Sequence, residues 1–288
     1  MKIILFSRKS IAVRPDDIKQ ILGAIEHYGF DYAINREFAE NIEQYTSHTI
    51  APEFIYDAEV GAQPADAVMV CYGGDGTLLE GVHRLNGADI PVVGINGGHL
   101  GFLALAPREN IKDVFDAIAT SNLHLEVRNM LCIEGLGSGK LYALNEVSVQ
   151  RLGASMISID ATIDGNAVST YNGDGVIIST PTGSTAYSLS AGGPILAPSC
   201  NSFLLTPLAP HNLTMRPIVM PDSSVVTLHI ATRNNEASIS ADNRTIKISN
   251  DTVLTIRRAK RSIRLAVPHN ISFFDSLRNK MMWGVDIR

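Results

Sequence analysis

The sequence predicts an α/β domain with a mostly parallel sheet, followed by an all-β domain, and three observations carry that reading. Up to about residue 121, short apolar runs alternate with helix-length segments, the rhythm of parallel strands joined by crossover helices. Beyond Asn122 the apolar segments are almost all of strand length. The apolar run at 67–72 stops at Gly73-Gly74-Asp75-Gly76-Thr77, a glycine turn that carries one carboxylate and has a helix directly behind it.

Taken in order, residues 2–7 read as an opening strand and 15–28 as an amphipathic helix with Ile18, Ile21, Leu22 and Ile25 on one face. Residues 67–72 and 91–95 are further strands, and 77–85 and 107–119 are helices, the second with Pro107 suited to a first helical position. Ligands of such sheets gather beyond the carboxyl ends of the strands, where the glycine turn lies. Strands are then predicted at 123–134, 141–151, 156–163, 168–179, 225–231, 237–240, 245–248, 253–256 and 263–267. Asp164-Gly165-Asn166 is a strong hairpin signal. The helical pattern at 272–283 is expected to return to the first domain, so the domains read as 1–121 with 270–288, and 122–269.

With 288 residues, 45% hydrophobic and 18% charged, the chain has the composition of an ordinary globular protein. A net charge of −5 argues against a nucleic-acid partner. No run approaches the roughly 20 apolar residues that cross a bilayer, and the apolar N-terminus is too short for a signal peptide. Cys71, Cys132 and Cys200 are widely spaced and odd in number, which reads as reduced thiols in a cytoplasmic protein.

Chemistry concentrates in three places. At the 73–77 turn, glycines admit phosphates to the backbone, whereas Asp75 would repel them unless a cation or a proton transfer is involved. A stretch at 172–195 packs glycines and hydroxyls at high density, including Thr180-Pro181-Thr182-Gly183-Ser184-Thr185-Ala186-Tyr187 and Ser190. Its Ser and Thr side chains can donate to phosphate or ribose oxygens, and Tyr187 offers a face for a nucleobase. Asn145-Glu146 could read an adenine edge and a ribose diol, although a strand-end turn explains that pair equally well. Gly94-Ile95-Asn96-Gly97-Gly98-His99-Leu100-Gly101-Phe102 is a further glycine-rich strand exit that does not fit a dinucleotide fingerprint, and Gly139-Lys140 is not a P-loop.

In order, these segments resemble the NAD kinase family: the 73–77 turn, residues 97–102, Asn145-Glu146 and above all 173–195. Weaker similarity continues through 210–213, 216–218 and 273–283, leaving out only about 8–65. The resemblance implies an N-terminal α/β domain, a C-terminal β-sandwich and transfer of phosphate from ATP-Mg to the adenosine 2′-hydroxyl of NAD. It implies that Asp75 is the general base, that Gly74, Gly76 and Thr77 meet phosphates, and that Phe102 borders the adenine pocket. Asn145 and Glu146 would hold the adenosine, with Thr185, Ala186, Tyr187 and Ser190 completing its pocket. Asp174, Ala209 and His211 would meet the nicotinamide half, in a homodimer or homotetramer. Mg²⁺ would arrive with ATP, since the sequence shows no acidic metal-ligand cluster. The position two residues before Asp174 is often basic in relatives; here it is Asn172, which leaves the choice of NAD or NADH open. The competing readings are another kinase with the same turn, acting on a lipid or sugar phosphate, and a non-catalytic dinucleotide sensor. Retention of Asp75 argues against the sensor.

Overall fold

The computed structural model describes residues 1–282 except 58, 61, 62, 99, 100, 138, 234 and 270. His99 and Leu100 of the 97–102 motif, and Trp283 at the end of the expected last helix, therefore lie outside the described residues. The chain divides into two compact units, Met1–Val127 with Ile263–Arg288, and Arg128–Ser262.

In the first unit the elements are β1 (Lys2–Phe6), α1 (Pro15–Tyr28), β2 (Asp31–Asn35), α2 (Arg36–Tyr45), β3 (Ile55–Tyr56), β4 (Val68–Tyr72), α3 (Asp75–Arg84), β5 (Val92–Asn96), β6 (Ala106–Pro107) and α4 (Ile111–Ala119). The strands run parallel in the order β5-β4-β1-β2-β3, with β6 beside β5. All five residues of β4 and of β5 are buried, as central parallel strands covered on both faces require. On α1, Ile18, Ile21 and Ile25 supply the buried stripe, and Gly29 ends the helix in the left-handed conformation.

One sequence expectation here needs correction, and one element went unannounced. Pro107 is not a first helical residue: it pairs with Asn96 in extended conformation, a 3₁₀ turn covers Arg108–Asn110, and α4 starts at Ile111. The segment Arg36–Tyr45 forms a helix that the apolar pattern did not announce, because only Phe38, Ala39 and Ile42 give it an apolar stripe.

The second unit is built from β7 (His124–Glu134), β8 (Leu141–Ala143), β9 (Glu146–Arg151), β10 (Ile157–Ile163), β11 (Asn166–Gly173), β12 (Gly175–Ser179), the short α5 (Tyr187–Ser190), β13 (Ser202–Leu208), β14 (Ile218–Pro221), β15 (Val226–Thr232), β16 (Glu236–Ala241), β17 (Arg244–Ser249) and β18 (Val253–Val267). One antiparallel sheet runs β14-β13-β12-β9-β16-β17. The other places β11, β10, β15 and the first part of β18 side by side. Alternate residues of the two sheets form one core: Val147, Val149, Val176 and Ile178 meet Ile157, Ile159, Leu228 and Ile230. Asp164-Gly165 closes the predicted hairpin, both residues having positive φ. The end of β18, from Ile263 on, belongs to the first unit, where Leu265 and Ala266 run parallel to β5. A final helix, α6 (Phe273–Met281), returns to the first unit with Leu277 buried and a Ser272–Asp275 capping box at its start.

The predicted strand at 168–179 is in fact two strands in different sheets, and the chain changes sheet at Asp174. Glycines flank that corner because no side chain fits there: a Cβ on Gly173 would stand 2.7 Å from the Ala209 carbonyl oxygen, and one on Gly175, at φ +152°, only 2.0 Å from that of Val149. Conversely, the two runs at 253–256 and 263–267 belong to one strand, because Arg257, Arg258 and Arg261 interrupt the alternation yet find partners in Glu134, Asp222 and the Tyr142 ring. Gly175→Ala is therefore expected to destabilise the protein by at least about 2 kcal/mol, from overpacking and backbone strain together, as measured by denaturant unfolding.

Candidate active site

The 73–77 turn lies where β4 gives way to α3, and helix α3 begins at Asp75 with Gly74 as its N-cap. Gly73, at φ +148°, is confined to glycine because a Cβ would meet the Thr77 Oγ1 at 2.5 Å. Gly74 has open space where a side chain would stand, and over Gly76 only the tip of Arg8 approaches. Thr77 itself is fully buried, and its hydroxyl accepts from the Arg8 Nε at 3.2 Å, so its side chain braces the turn from beneath.

Asp75 is held from the opposite side. The backbone N–H of Phe102 donates to its Oδ2, and those of Leu103 and Ala104 donate to its Oδ1, each at 2.9 Å. Lys280 of α6 adds a fourth donor, Nζ to Oδ2 at 3.2 Å, while lying 4.6 Å from the centre of the Phe102 ring. Burial pushes the Asp75 carboxyl up. The N–H groups of Ala104 and Phe102, the Lys280 charge and the Leu103 N–H together outweigh burial and hold the carboxyl below its ordinary value. Gly101 admits this arrangement: a Cβ there would stand 1.9 Å from the Asp75 Oδ1. Phe102, half-buried, packs 6.2 Å from Phe273.

In the second unit, the chain turns between β8 and β9 at Leu144-Asn145. Three successive N–H groups there, of Leu144, Asn145 and Glu146, donate to the Asp242 carboxylate at 2.8, 2.8 and 3.2 Å. From the other side Thr180 donates its N–H to the Asn145 carbonyl at 2.9 Å and its hydroxyl to the Leu144 carbonyl at 2.6 Å. Gly183 packs flat against the same segment, since a Cβ would stand 2.1 Å from the Asn145 carbonyl oxygen. Two acceptors in this held turn are buried without a protein partner, the Asn145 Oδ1 and the Glu146 Oε2. Burial, then the nearby Asp242 charge, push the Glu146 carboxyl up to about 8 against the opposing effect of the Tyr187 N–H. Buried acceptors of this kind call for a donor, from bound water, an ion or a ligand.

The hydroxyl-rich block serves mainly itself, which departs from the sequence reading. The Ser184 hydroxyl bonds Pro181 and Leu196, that of Ser188 pairs with Thr206 at 2.8 Å, and that of Thr185 turns back to Thr182. Tyr187 and Ser190 are exposed, Ala186 is half-buried, and the Tyr187 hydroxyl reaches Gln150. The structure thus gathers Asn145, Glu146 and Tyr187 around one turn. Asp174, Ala209 and His211 form a neighbouring group: Asp174 N–H donates to Leu208, His211 N–H donates to Asn172, and Ala209 has φ +39°. Asp174 is paired with Arg151 of β9. Among the residues that hold these groups, Lys280, Asp242, Gly101 and Gly183 were not singled out by sequence reasoning as supports. Only long-range packing gives them that role.

A glycine turn presenting a fixed carboxylate, with a separate turn of buried acceptors, is the equipment of a phosphate-handling enzyme that also grips a polar ligand. The fold is shared with solved kinases: yeast NADH kinase in complex with NADH, at a TM-score of 0.86 and 23% identity over 100% of this chain and 89% of that one. A second is an NAD kinase from Archaeoglobus fulgidus in complex with ATP, at 0.74 and 24% over 99% and 98%. Residues 24–123 match the ATP-NAD kinase N-terminal domain and residues 144–267 the ATP-NAD kinase C-terminal domain. The NAD kinase of Bacteroides fragilis is 37% identical over 100% of both chains, and that of Porphyromonas gingivalis 35% over 100% of this chain and 99% of its own. The chain belongs to the NAD kinase family.

Two outcomes test these geometries. Because the folded Glu146 binds its proton more tightly than an unfolded carboxyl, the folded state holds the extra proton between about pH 4.5 and 8, and stability falls as pH rises through that window. Thermal unfolding should show the wild type losing ground to Glu146→Gln from pH 5 to pH 8. Gly101→Ala should displace Asp75 and lower turnover by about tenfold or more, with the kcat of purified, folded protein as the readout.

Proposed function

We propose that this protein transfers the terminal phosphate of ATP to the adenosine 2′-hydroxyl of NAD, forming NADP. Asp75 carries the proposal. Its carboxylate is fixed by three backbone N–H groups at the start of a helix, in a chain whose family phosphorylates NAD.

In the reaction Asp75 accepts the 2′-hydroxyl proton as the hydroxyl oxygen bonds to the γ-phosphorus. The bond from that phosphorus to the β-bridging oxygen breaks, and its electron pair leaves with ADP. A carboxylate can take this proton, because the hydroxyl becomes acidic as the new O–P bond forms, late in a loose transition state. Gly74 and Gly76 let phosphates approach the backbone, and Thr77 holds that turn from beneath. Asn145 and Glu146 grip the adenosine through the Asn145 Oδ1 and the Glu146 Oε2, with Thr185, Ala186, Tyr187 and Ser190 beside them. Asp174, Ala209 and His211 receive the nicotinamide half.

Among the described residues no three His, Cys, Asp or Glu side chains gather as metal ligands, and the four acceptor positions of Asp75 are filled. With no such cluster among the described residues, Mg²⁺ enters as part of the substrate, MgATP. We further propose that the first unit serves phosphate transfer and the second dinucleotide binding. Exposed Leu213 and Val219 support a homodimer or homotetramer, and three unpaired thiols support a cytoplasmic setting. No helix of the described residues is long and apolar enough to cross a membrane.

Incubation with MgATP and NAD, followed by an NADP-specific dehydrogenase assay, should reveal NADP; its absence with every donor tried overturns the kinase reading. Asp75→Asn should lower kcat by about 10²–10⁴-fold while NAD affinity stays within about threefold, and near-wild-type turnover would remove Asp75 as base. Asn145→Ala should instead raise the KM for NAD by about tenfold, from loss of a ligand hydrogen bond.

A further inference from the structure

Each oxygen of a carboxylate has two acceptor positions, and in Asp75 all four are taken. Leu103 and Ala104 fill those of Oδ1, and Phe102 and Lys280 those of Oδ2. Three of the donors are backbone N–H groups of one short segment and cannot leave singly. The fourth is a flexible side chain, about two-fifths exposed, at the end of α6. A substrate hydroxyl that is to hand its proton to Asp75 needs one of these positions, and only the one held by Lys280 can be vacated without unravelling the loop.

We propose that Lys280 is the place-holder of the reaction: it occupies the Asp75 Oδ2 in the absence of substrates and yields that position to the acceptor hydroxyl, its ammonium passing to the donor phosphates. The inference rests on the reading of Asp75 as base given above. Charge makes the exchange favourable. An ammonium leaving a carboxylate in a partly buried corner needs another anion, and the phosphoryl group that reacts beside Asp75 is one. The same move removes the cation that holds down the proton affinity of Asp75, so the carboxylate becomes a better base as the donor is neutralised. Phe102 steadies Lys280 in its resting position through its ring face. Among the described residues, the other charged side chains bonded near this corner point elsewhere: Arg8 is bonded to Thr77 across the first turn of α3, and Asp17 receives the Tyr72 hydroxyl at 2.6 Å. Neither is bonded to Asp75, so Lys280 is the cation whose removal Asp75 should register.

The test is the pH profile of kcat/KM for wild type, Lys280→Met, Lys280→Gln and Lys280→Arg, with Asp75→Asn alongside. The acid limb, which reports the free enzyme's base, is expected to move to higher pH in Lys280→Met and Lys280→Gln, because the cation that favours the ionised carboxylate is gone. Their kcat at the plateau should fall by about tenfold or more, and Lys280→Arg should restore both towards wild type. An acid limb at the wild-type pH, with plateau kcat within about twofold, would make Lys280 a surface tether and overturn the proposal. The two readings fail separately. Turnover surviving in Asp75→Asn removes the base itself, whereas an inactive Asp75→Asn beside an unmoved Lys280→Met profile removes only the place-holder.

Discussion

Backbone N–H groups closing on the Asp75 carboxylate are the constraint around which the first unit is organised. Three consecutive donors from residues 102–104 can reach one side chain only if the chain leaving β5 doubles back over the first turn of α3. That return needs Gly101 against the carboxylate, and it needs Gly94 without a side chain, since a Cβ there would stand 2.6 Å from the Cα of Ala104. The buried strands β4 and β5 give both segments a rigid base. Asp75 is thus a fixed charge on a rigid frame, the condition under which an electrostatic group requires no reorganisation as the reaction proceeds.

The second unit uses the same device for another end. Asp242 collects three successive N–H groups of the Leu144-Asn145-Glu146 turn, and the Thr180–Gly183 segment clamps that turn from the other side. In the first unit the clamped carboxylate is the proposed base; in the second the clamped backbone carries the groups proposed to bind the adenosine. The second arrangement places Asp242 near Glu146, whose raised proton affinity follows from burial first and from that neighbouring charge second. A buried Glu146 Oε2 without a protein partner is unfavourable, and a bound donor would relieve it. The density of glycine and hydroxyl residues at 173–195 has a related cause. Most of those hydroxyls tie the loop to itself, and the glycines admit neighbouring backbone, so the block shapes a rigid turn more than it supplies ligand donors.

Much of this was legible in the amino-acid order. The alternation of apolar runs and helices announced the parallel sheet, and the period of two announced the β unit, because both rhythms report which side of a local element faces a core. The 73–77 turn was visible for the same local reason: glycines and a carboxylate after a buried strand. The elements that escaped notice, such as β2, β3 and α2, are short or sparsely apolar, and β18 was divided by arginines whose partners lie more than a hundred residues away at Glu134 and Tyr142. The break at Asp174 was hidden because strand-like residues lie on both sides of it.

The sequence by itself determined the two fold classes, the 73–77 glycine turn with its carboxylate, the Asn145-Glu146 pair and the family to which they belong, because each is written in contiguous residues. Only the tertiary structure decided that Asp75 has all its acceptor positions filled, that Lys280 holds the last of them, that Asp242 braces the Leu144-Asn145-Glu146 turn and that Arg151 pairs with Asp174. Those pairings join residues 23 to 205 positions apart. A charge finds such a partner through the path of the folded chain, which no local pattern of residue types encodes.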